Sequence, residues 1–313
     1  MSEKMIKIDN LVKRYGNFVA LDHLKLDINK GEIFGLLGPN GSGKTTTISC
    51  LLSLLKYDKG EIEIFGKKMT PDSYDIKRQI GIVPQDVAVF DELTVRQNID
   101  YFCGLYVGDK KERKKLVDEA IAFVGLEKFT KMHPKQLSGG LLRRLNIACG
   151  IAHKPKLIIM DEPTVAVDPQ SRNNILEGIK KLNEDGATVI YTSHYMEEVE
   201  QICTRIAIID KGQCIANGTK EELKRMIKTG ETITIEGVML DGKQLDEISK
   251  IEHVFDVTYD EQVLVVRCTG AKHNLIRILE YMNNKDISFG RVFSELPTLN
   301  DVFLEITGKK LRD

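Results

Sequence analysis

The sequence predicts an α/β fold built on a mainly parallel sheet, followed by a smaller α+β domain. Short apolar runs at 33–37, 157–160, 188–192 and 206–209 alternate with helix-compatible segments, the pattern of strands covered by helices. The first run feeds directly into a glycine-rich loop, Gly38-Pro39-Asn40-Gly41-Ser42-Gly43. After Lys228 no such loop recurs, and short strands and helices of a second small core follow.

Each element has its own signal. The alternation Leu24-Lys25-Leu26-Asp27-Ile28 reads as a half-buried strand, and Asn29-Lys30-Gly31 supplies the turn before the buried strand at 33–37. From about 92 to 151 the period becomes helical. Leu93, Val95, Ile99 and Phe102, then Leu116, Ile121, Val124 and Leu126, recur at three- and four-residue spacings, which predicts a helical subdomain inserted into the sheet. Beyond 228 the pattern gives a strand at 232–236, a helix at 243–250, strands at 254–259 and 263–268, a helix at 271–285 and a strand at 287–293. That is the β-α-β-β-α-β order of a ferredoxin-like domain, with a closing helix at 300–307. The expected domains are therefore 1–228 and 229–313.

Composition narrows the function. The 313 residues carry 45 basic and 46 acidic side chains, so no global field recruits nucleic acid or an anionic membrane. The mostly basic run at 110–115 contains Glu112 and is followed by Asp118 and Glu119, which reads as a solvated helix face. No segment approaches the roughly 20 consecutive apolar residues of a membrane-crossing helix. The six cysteines lack C-x-x-C spacing, and no signal-peptide pattern precedes Met5, so they read as buried thiols in a reducing cytoplasm.

The chemistry is concentrated in a few motifs. Gly38 to Thr45 fits G-x-x-x-x-G-K-[ST], the cradle whose small residues let successive backbone N–H groups approach phosphate oxygens. Lys44 adds a cation, and the Thr45 hydroxyl can coordinate Mg²⁺. The strand at 157–160 delivers two carboxylates. Asp161 is suited to hold Mg²⁺, a hard cation that keeps part of its water shell, and Glu162 can serve as general base for an attacking water. Val83-Pro84 disfavours helix, so Gln85 begins a loop.

With Leu137-Ser138-Gly139-Gly140 standing between the phosphate loop and the acidic pair, the chain resembles the nucleotide-binding subunit of an ATP-binding cassette (ABC) transporter. Tyr15, Gln85, Asp168 and His194 fall in the order of that family's adenine-stacking, Q-loop, D-loop and switch-histidine elements. The resemblance covers about residues 4–225. The ending Leu296-Pro297-Thr298-Leu299-Asn300-Asp301-Val302-Phe303-Leu304-Glu305 is similar to subunits of drug- and peptide-antibiotic-resistance exporters of the daunorubicin and bacitracin type. It implies a P-loop NTPase cassette with a RecA-like sheet core, a helical subdomain, and ATP with Mg²⁺ as ligands.

By the same resemblance, Tyr15 stacks on adenine, the loop from Gly38 through Lys44, Thr45 and Thr46 holds the phosphates, Gln85 reaches Mg²⁺, and His194 contacts the γ-phosphate. Ser138, Gly139 and Gly140 would cap ATP bound to a second subunit, most simply another copy, and Asp168 would join the two sites. Leu141 departs from the polar or flexible residue common in relatives. The implied activity is that of an ATP hydrolase of the translocase class. It would power export of a drug-like, antibiotic or lipid-like substrate through separate membrane permease chains, from the cytoplasmic face. The loop at 85–90 and the helix around 93–101 would face the permease. Alternatives are a soluble ABC ATPase with a non-transport partner, a sodium or polysaccharide exporter, an importer subunit and a non-hydrolytic regulator.

Overall fold

The computed structural model describes residues 3–165 and 167–308. The chain forms two compact units, 1–219 and 220–313.

Two sheets build the first unit. Strands Phe18–Asn29, Lys4–Tyr15, Lys59–Ile64 and Lys67–Lys68 pair antiparallel in that order. The second sheet runs Gln213–Gly218, Arg205–Asp210, Ile33–Leu37, Thr188–Ser193, Leu157–Asp161, Ile80–Val83, and every pairing is parallel except that of the edge strand Gln213–Gly218. Strands Ile33–Leu37, Leu157–Asp161 and Thr188–Ser193 are buried at every position, which is why they read as continuous apolar runs. Phe34, Leu36, Ile159 and Ile190 share one core with Ile6, Leu24, Leu26 and Ile62 of the other sheet and with Ile48 and Leu51 of helix Lys44–Leu51. At about 1.5 to 3 kcal/mol for each large aliphatic side chain buried, this core holds the carboxyl ends of the central strands in fixed register. Those ends carry Leu37, Asp161 and Ser193.

The second unit contains a four-stranded antiparallel sheet ordered Val254–Asp260, Val263–Cys268, Glu231–Glu236, Val292–Glu295. With helices Gly242–Ser249 and Asn274–Asn284 it has the β-α-β-β-α-β order expected of a ferredoxin-like domain. Ile233, Ile235, Leu264, Val266, Ile248, Ile278 and Met282 form its core. Two boundaries differ from the sequence pattern. Helix Asn274–Asn284 starts later than 271, after His273 in the left-handed region at φ 70°. The last strand is Val292–Glu295 rather than 287–293. Ile287 packs on the core from the turn after the helix, where its N–H donates to Met282 O at 3.0 Å, so its apolar character is that of a turn residue. Helix Lys220–Arg225 packs on the closing helix Leu299–Thr307 and belongs to this unit, whereas the sequence pattern sets the division after Lys228. Of the six cysteines, Cys214 is only half-buried, a departure from the expectation of buried thiols.

The helical subdomain lies between strands Ile80–Val83 and Leu157–Asp161, as helices Val95–Gly104, Lys110–Phe123 and Gly139–Ile151. Val95, Ile99, Cys103, Val117, Ile121 and Leu145 give it a separate core. Thr94 caps its first helix in a reciprocal box with Gln97, so Leu93 sits in the preceding turn instead of the helix. Asn98 is fully buried and stitches the entering loop to this helix. Its Oδ1 accepts Phe90 N–H at 2.7 Å, and its Nδ2 donates to the carbonyls of Phe90, Leu93 and Thr94 at 3.0 to 3.1 Å. Removing the amide takes the side-chain partner from the part-buried Phe90 N–H, while the carbonyls of Phe90 and Thr94 keep backbone donors, at about 1 to 3 kcal/mol for the lost bond. Asn98→Ala is expected to lower the thermal transition and speed hydrogen exchange at the Phe90 amide; an unchanged exchange rate there would refute this support.

Candidate active site

The loop from Gly38 to Gly43 leaves strand Ile33–Leu37 and enters helix Lys44–Leu51. A Cβ on Gly38 would lie 2.3 Å from Ile209 O, and Gly43, at φ 110°, caps the helix in a conformation open to glycine. Lys44 is folded inside this turn, 6% exposed, with Nζ donating to Gly38 O at 2.7 Å and Pro39 O at 3.2 Å. Burial lowers its pKa from the ordinary lysine value, and the carboxylates of Glu162 and Asp161 oppose that shift. Ser42 Oγ is buried and has no hydrogen-bond partner among the described residues. A phosphate oxygen would satisfy such an orphan, and Lys44 stands next to the same turn as its counter-charge.

The two carboxylates sit where adjacent parallel strands end. Asp161 lies opposite Thr192 in register. Thr192 Oγ1 donates to Asp161 Oδ1 at 2.5 Å, and the same hydroxyl accepts Glu162 N–H at 2.9 Å. Thr45 Oγ1 donates to Asp161 Oδ2 at 3.2 Å, joining the phosphate loop to the acidic strand. Glu162 adopts φ 47°, in the left-handed region, and turns its buried carboxylate between Lys44 Nζ at 3.8 Å and His194 Nδ1 at 3.1 Å. Because a carboxylate only accepts, Nδ1 donates, leaving the other ring nitrogen for a different partner. Strained backbone at such a point is characteristic of functional sites.

Among the described residues no group of three His, Cys, Asp or Glu side chains gathers to hold a metal. Magnesium suits this cleft nonetheless. It needs only one or two protein oxygens beside substrate phosphates, and Thr45 and Asp161 offer them together.

The remaining expected residues are on the phosphate loop or apart from this cluster. Tyr15 is 50% exposed at the end of the first hairpin, paired with Phe18, with Lys13 Nζ 5.0 Å from its ring centroid. Asn40, Gly41 and Thr45 are exposed and Thr46 is half-buried. Gln85 is exposed, and its carbonyl accepts Arg143 Nη1 at 2.8 Å, which anchors the loop to helix Gly139–Ile151. Ser138 caps that helix by accepting Leu141 N–H at 3.4 Å, and with Gly139 it is exposed. Among the described residues no hydrogen bond joins Ser138, Gly139 or Gly140 to the loop at 38–45. Gly140 instead abuts Asp168 and Ser171: a Cβ there would meet Ser171 Oγ at 2.6 Å. Asp168 caps helix Pro169–Glu184 by accepting Ser171 N–H at 2.9 Å, and that bond holds its carboxyl below the usual range. Leu141 packs on the helical core beside Leu137, so an apolar anchor stands at the position where a polar contact was in doubt.

A glycine-lined phosphate cradle, its lysine, an acidic pair and a histidine at the ends of neighbouring parallel strands define a P-loop nucleoside triphosphatase. Comparison with known proteins specifies the kind. The ABC transporter family profile matches residues 21–165, and that of the ATP-binding protein DrrA1-3-like, C-terminal domain matches 218–307. The chain is 42% identical to the linearmycin resistance ATP-binding protein LnrL of Bacillus subtilis, over 99% of this chain and 100% of that one. It is 33% identical to the daunorubicin resistance ATP-binding protein DrrA3 of Streptomyces coeruleorubidus, over 100% and 98%. With Nod factor export ATP-binding protein I of Sinorhizobium fredii it shares 32% identity, over 100% and 88%. Among solved structures, a dimeric ATP-binding cassette in a post-hydrolysis state bound to ADP and phosphate superposes with TM-score 0.63 at 30% identity, covering 69% of this chain and 98% of that one. The chain belongs to the ATP-hydrolysing subunits of the ABC transporter family, in the group with a DrrA-like C-terminal domain.

Two polar residues of the site escaped sequence reading. Thr192 was legible only as part of an apolar run, and Arg143 carried no reading of its own. Both gain their function from partners 31 and 58 residues away. Thr192→Val keeps the shape but takes one donor from Asp161 and leaves the Glu162 N–H only its longer bond to Thr192 O at 3.2 Å; turnover is expected to fall about tenfold, roughly 1.4 kcal/mol of transition-state stabilisation. A steady-state ATPase assay checks this, and an unchanged rate would remove Thr192 from the site.

Proposed function

We propose that this subunit powers export of a drug-like, antibiotic or lipid-like substrate through a separate membrane permease, working as a pair of cassettes that share two ATP molecules. The observation that carries the reading is the division of the expected nucleotide contacts. Lys44, Thr45, Asp161, Glu162 and His194 form one cluster, while Ser138 and Gly139 head an exposed helix end with no bond to it among the described residues. In a head-to-tail pair the exposed end of one copy meets the phosphates held by the other. The N–H groups and dipole of helix Gly139–Ile151 then favour the triphosphate. Asp168, against Gly140, follows that contact.

In this arrangement the loop at 38–46 binds the phosphates, Lys44 neutralises them, and Tyr15 offers its exposed face to the adenine. Magnesium, held by Thr45 and Asp161 with Gln85 joining on closure, would neutralise charge on the β- and γ-oxygens. Glu162 orients the attacking water and takes its proton at a carboxylate oxygen, and His194 faces the γ-phosphate. Cleavage removes the bridge and the pair separates. To switch a two-state permease almost fully, closure must favour one state by about 5.5 kcal/mol.

No described helix is long and apolar enough to cross a membrane. In this reading separate permease chains form the transport path, and the subunit works at the cytoplasmic face, attached through them. The exposed aromatics Phe90 and Tyr101, edge-on at 5.0 Å, with Val87, suit a docking surface beside the Gln85 loop. Antibiotic resistance and Nod factor export in the relatives' names support an exporter.

Glu162→Gln is expected to retain nucleotide binding, slow turnover by about 10² to 10⁴ and prolong the ATP-bound pair. Single-turnover hydrolysis and size-exclusion chromatography with ATP check this, and near-normal turnover would dismiss Glu162 as the base. Purification from detergent-solubilised membranes is expected to bring a hydrophobic chain along; a subunit that never carries one would count against transport.

A further inference from the structure

Behind the reactive cluster lies a third buried carboxylate, one that none of the roles above uses. Glu198, in the first turn of helix Met196–Ile202, is 3% exposed. Its Oε2 accepts Tyr191 OH at 2.6 Å, Thr164 Oγ1 at 2.8 Å and Ser193 Oγ at 3.0 Å. Its Oε1 forms an ion pair with Arg172 Nε at 3.2 Å, without hydrogen-bond alignment among the described residues. The three hydroxyl residues are themselves buried, and the Arg172 guanidinium lies over the Tyr195 ring, 4.8 Å from its centroid. Burial raises the Tyr191 phenol well above its ordinary pKa and the Glu198 charge adds to this, so Tyr191 is a donor throughout the working range.

The partners belong to three segments. Thr164 stands between Glu162 and Asp168. Arg172 stands one turn after Asp168, and its N–H donates to Asp168 O at 2.9 Å. Tyr191 and Ser193 lead into His194, whose ring lies 4.1 Å from that of Tyr195, while Ser193 Oγ also accepts Tyr195 N–H at 2.9 Å. One carboxylate therefore hydrogen-bonds the strand that leads into the histidine through one oxygen and is ion-paired with the helix capped by Asp168 through the other.

Burying a carboxylate costs several kcal/mol before its partners offset it, and well-packed apolar residues often do the same structural work at no loss of stability. A charge here makes physical sense where alignment between segments matters.

We propose that Glu198 is a positioning residue that locks the Asp168 helix to the His194 strand, so that contact with a second subunit at Asp168 is transmitted to the histidine and to Glu162. The inference rests on the paired-cassette reading, and it assigns Arg172 as the second half of the lock.

The test is a double-mutant cycle in the full-length chain with Glu198→Gln, which keeps the shape, and Arg172→Gln, on a partly exposed side chain that can change without unfolding the core. Each single change is expected to lower turnover about tenfold and flatten the sigmoidal dependence on ATP, with the Kd for a fluorescent ATP analogue within about twofold of the parent. The double variant is expected to be no slower than either single one, and Arg172→Lys to restore part of the rate. Multiplicative losses in the double variant, full turnover with retained cooperativity, or losses that follow the thermal transition alone would each overturn the lock. Glu162→Gln runs alongside. If it fails to slow turnover, the assignment of the reactive cluster falls; if it does slow turnover and the Glu198 and Arg172 variants do not, only the lock falls.

Discussion

The Thr192 hydroxyl, buried at the end of a central strand, donates to Asp161 and accepts the N–H of Glu162, and the rest of the cleft depends on that crossing of two parallel strands. Together with the longer bond from the Glu162 N–H to Thr192 O at 3.2 Å, it holds the Glu162 backbone at φ 47° with its carboxylate toward Lys44 and His194. The sheet core already fixes the register of Asp161 opposite Thr192. Position is thus inherited from apolar packing, and direction is set by one residue.

Two kinds of surface follow from this arrangement. One gathers charge inward: Lys44 is almost wholly withdrawn from water and leans on backbone carbonyls and carboxylates. The other leaves polar groups outward at the ends of helices, as Ser138 and Asp168 do. A triphosphate complements the first by bringing oxygens to Ser42 and Lys44, and in the proposed pair its negative charge meets the helix end at Ser138.

Much of this was legible in the sequence, for physical reasons particular to each residue. The phosphate loop could be read because close backbone approach demands glycine at Gly38 and Gly43, and local demands leave local marks. The β-α-β-β-α-β order of the second unit was legible because its strands alternate inward and outward, Ile233 and Ile235 against Thr232 and Thr234. What escaped was polar chemistry created by distant pairing. Thr192, Arg143, Asn98 and Glu198 carry no pattern of their own, and each becomes meaningful only when the fold supplies its partner. The misplaced last strand has a similar origin, since Ile287 is apolar for the sake of a turn that closes onto the core.

The second unit is fastened where the chain enters and leaves it. The carboxylate of Glu305, in the closing helix, accepts the N–H groups of Lys228 and Thr229 at 2.6 and 3.3 Å and the Thr229 hydroxyl at 3.0 Å, just before the first sheet strand. Beginning and end are therefore clasped by the module's own atoms. Ordering of the closing helix is thereby coupled to ordering of the segment that starts the sheet, so the two settle together.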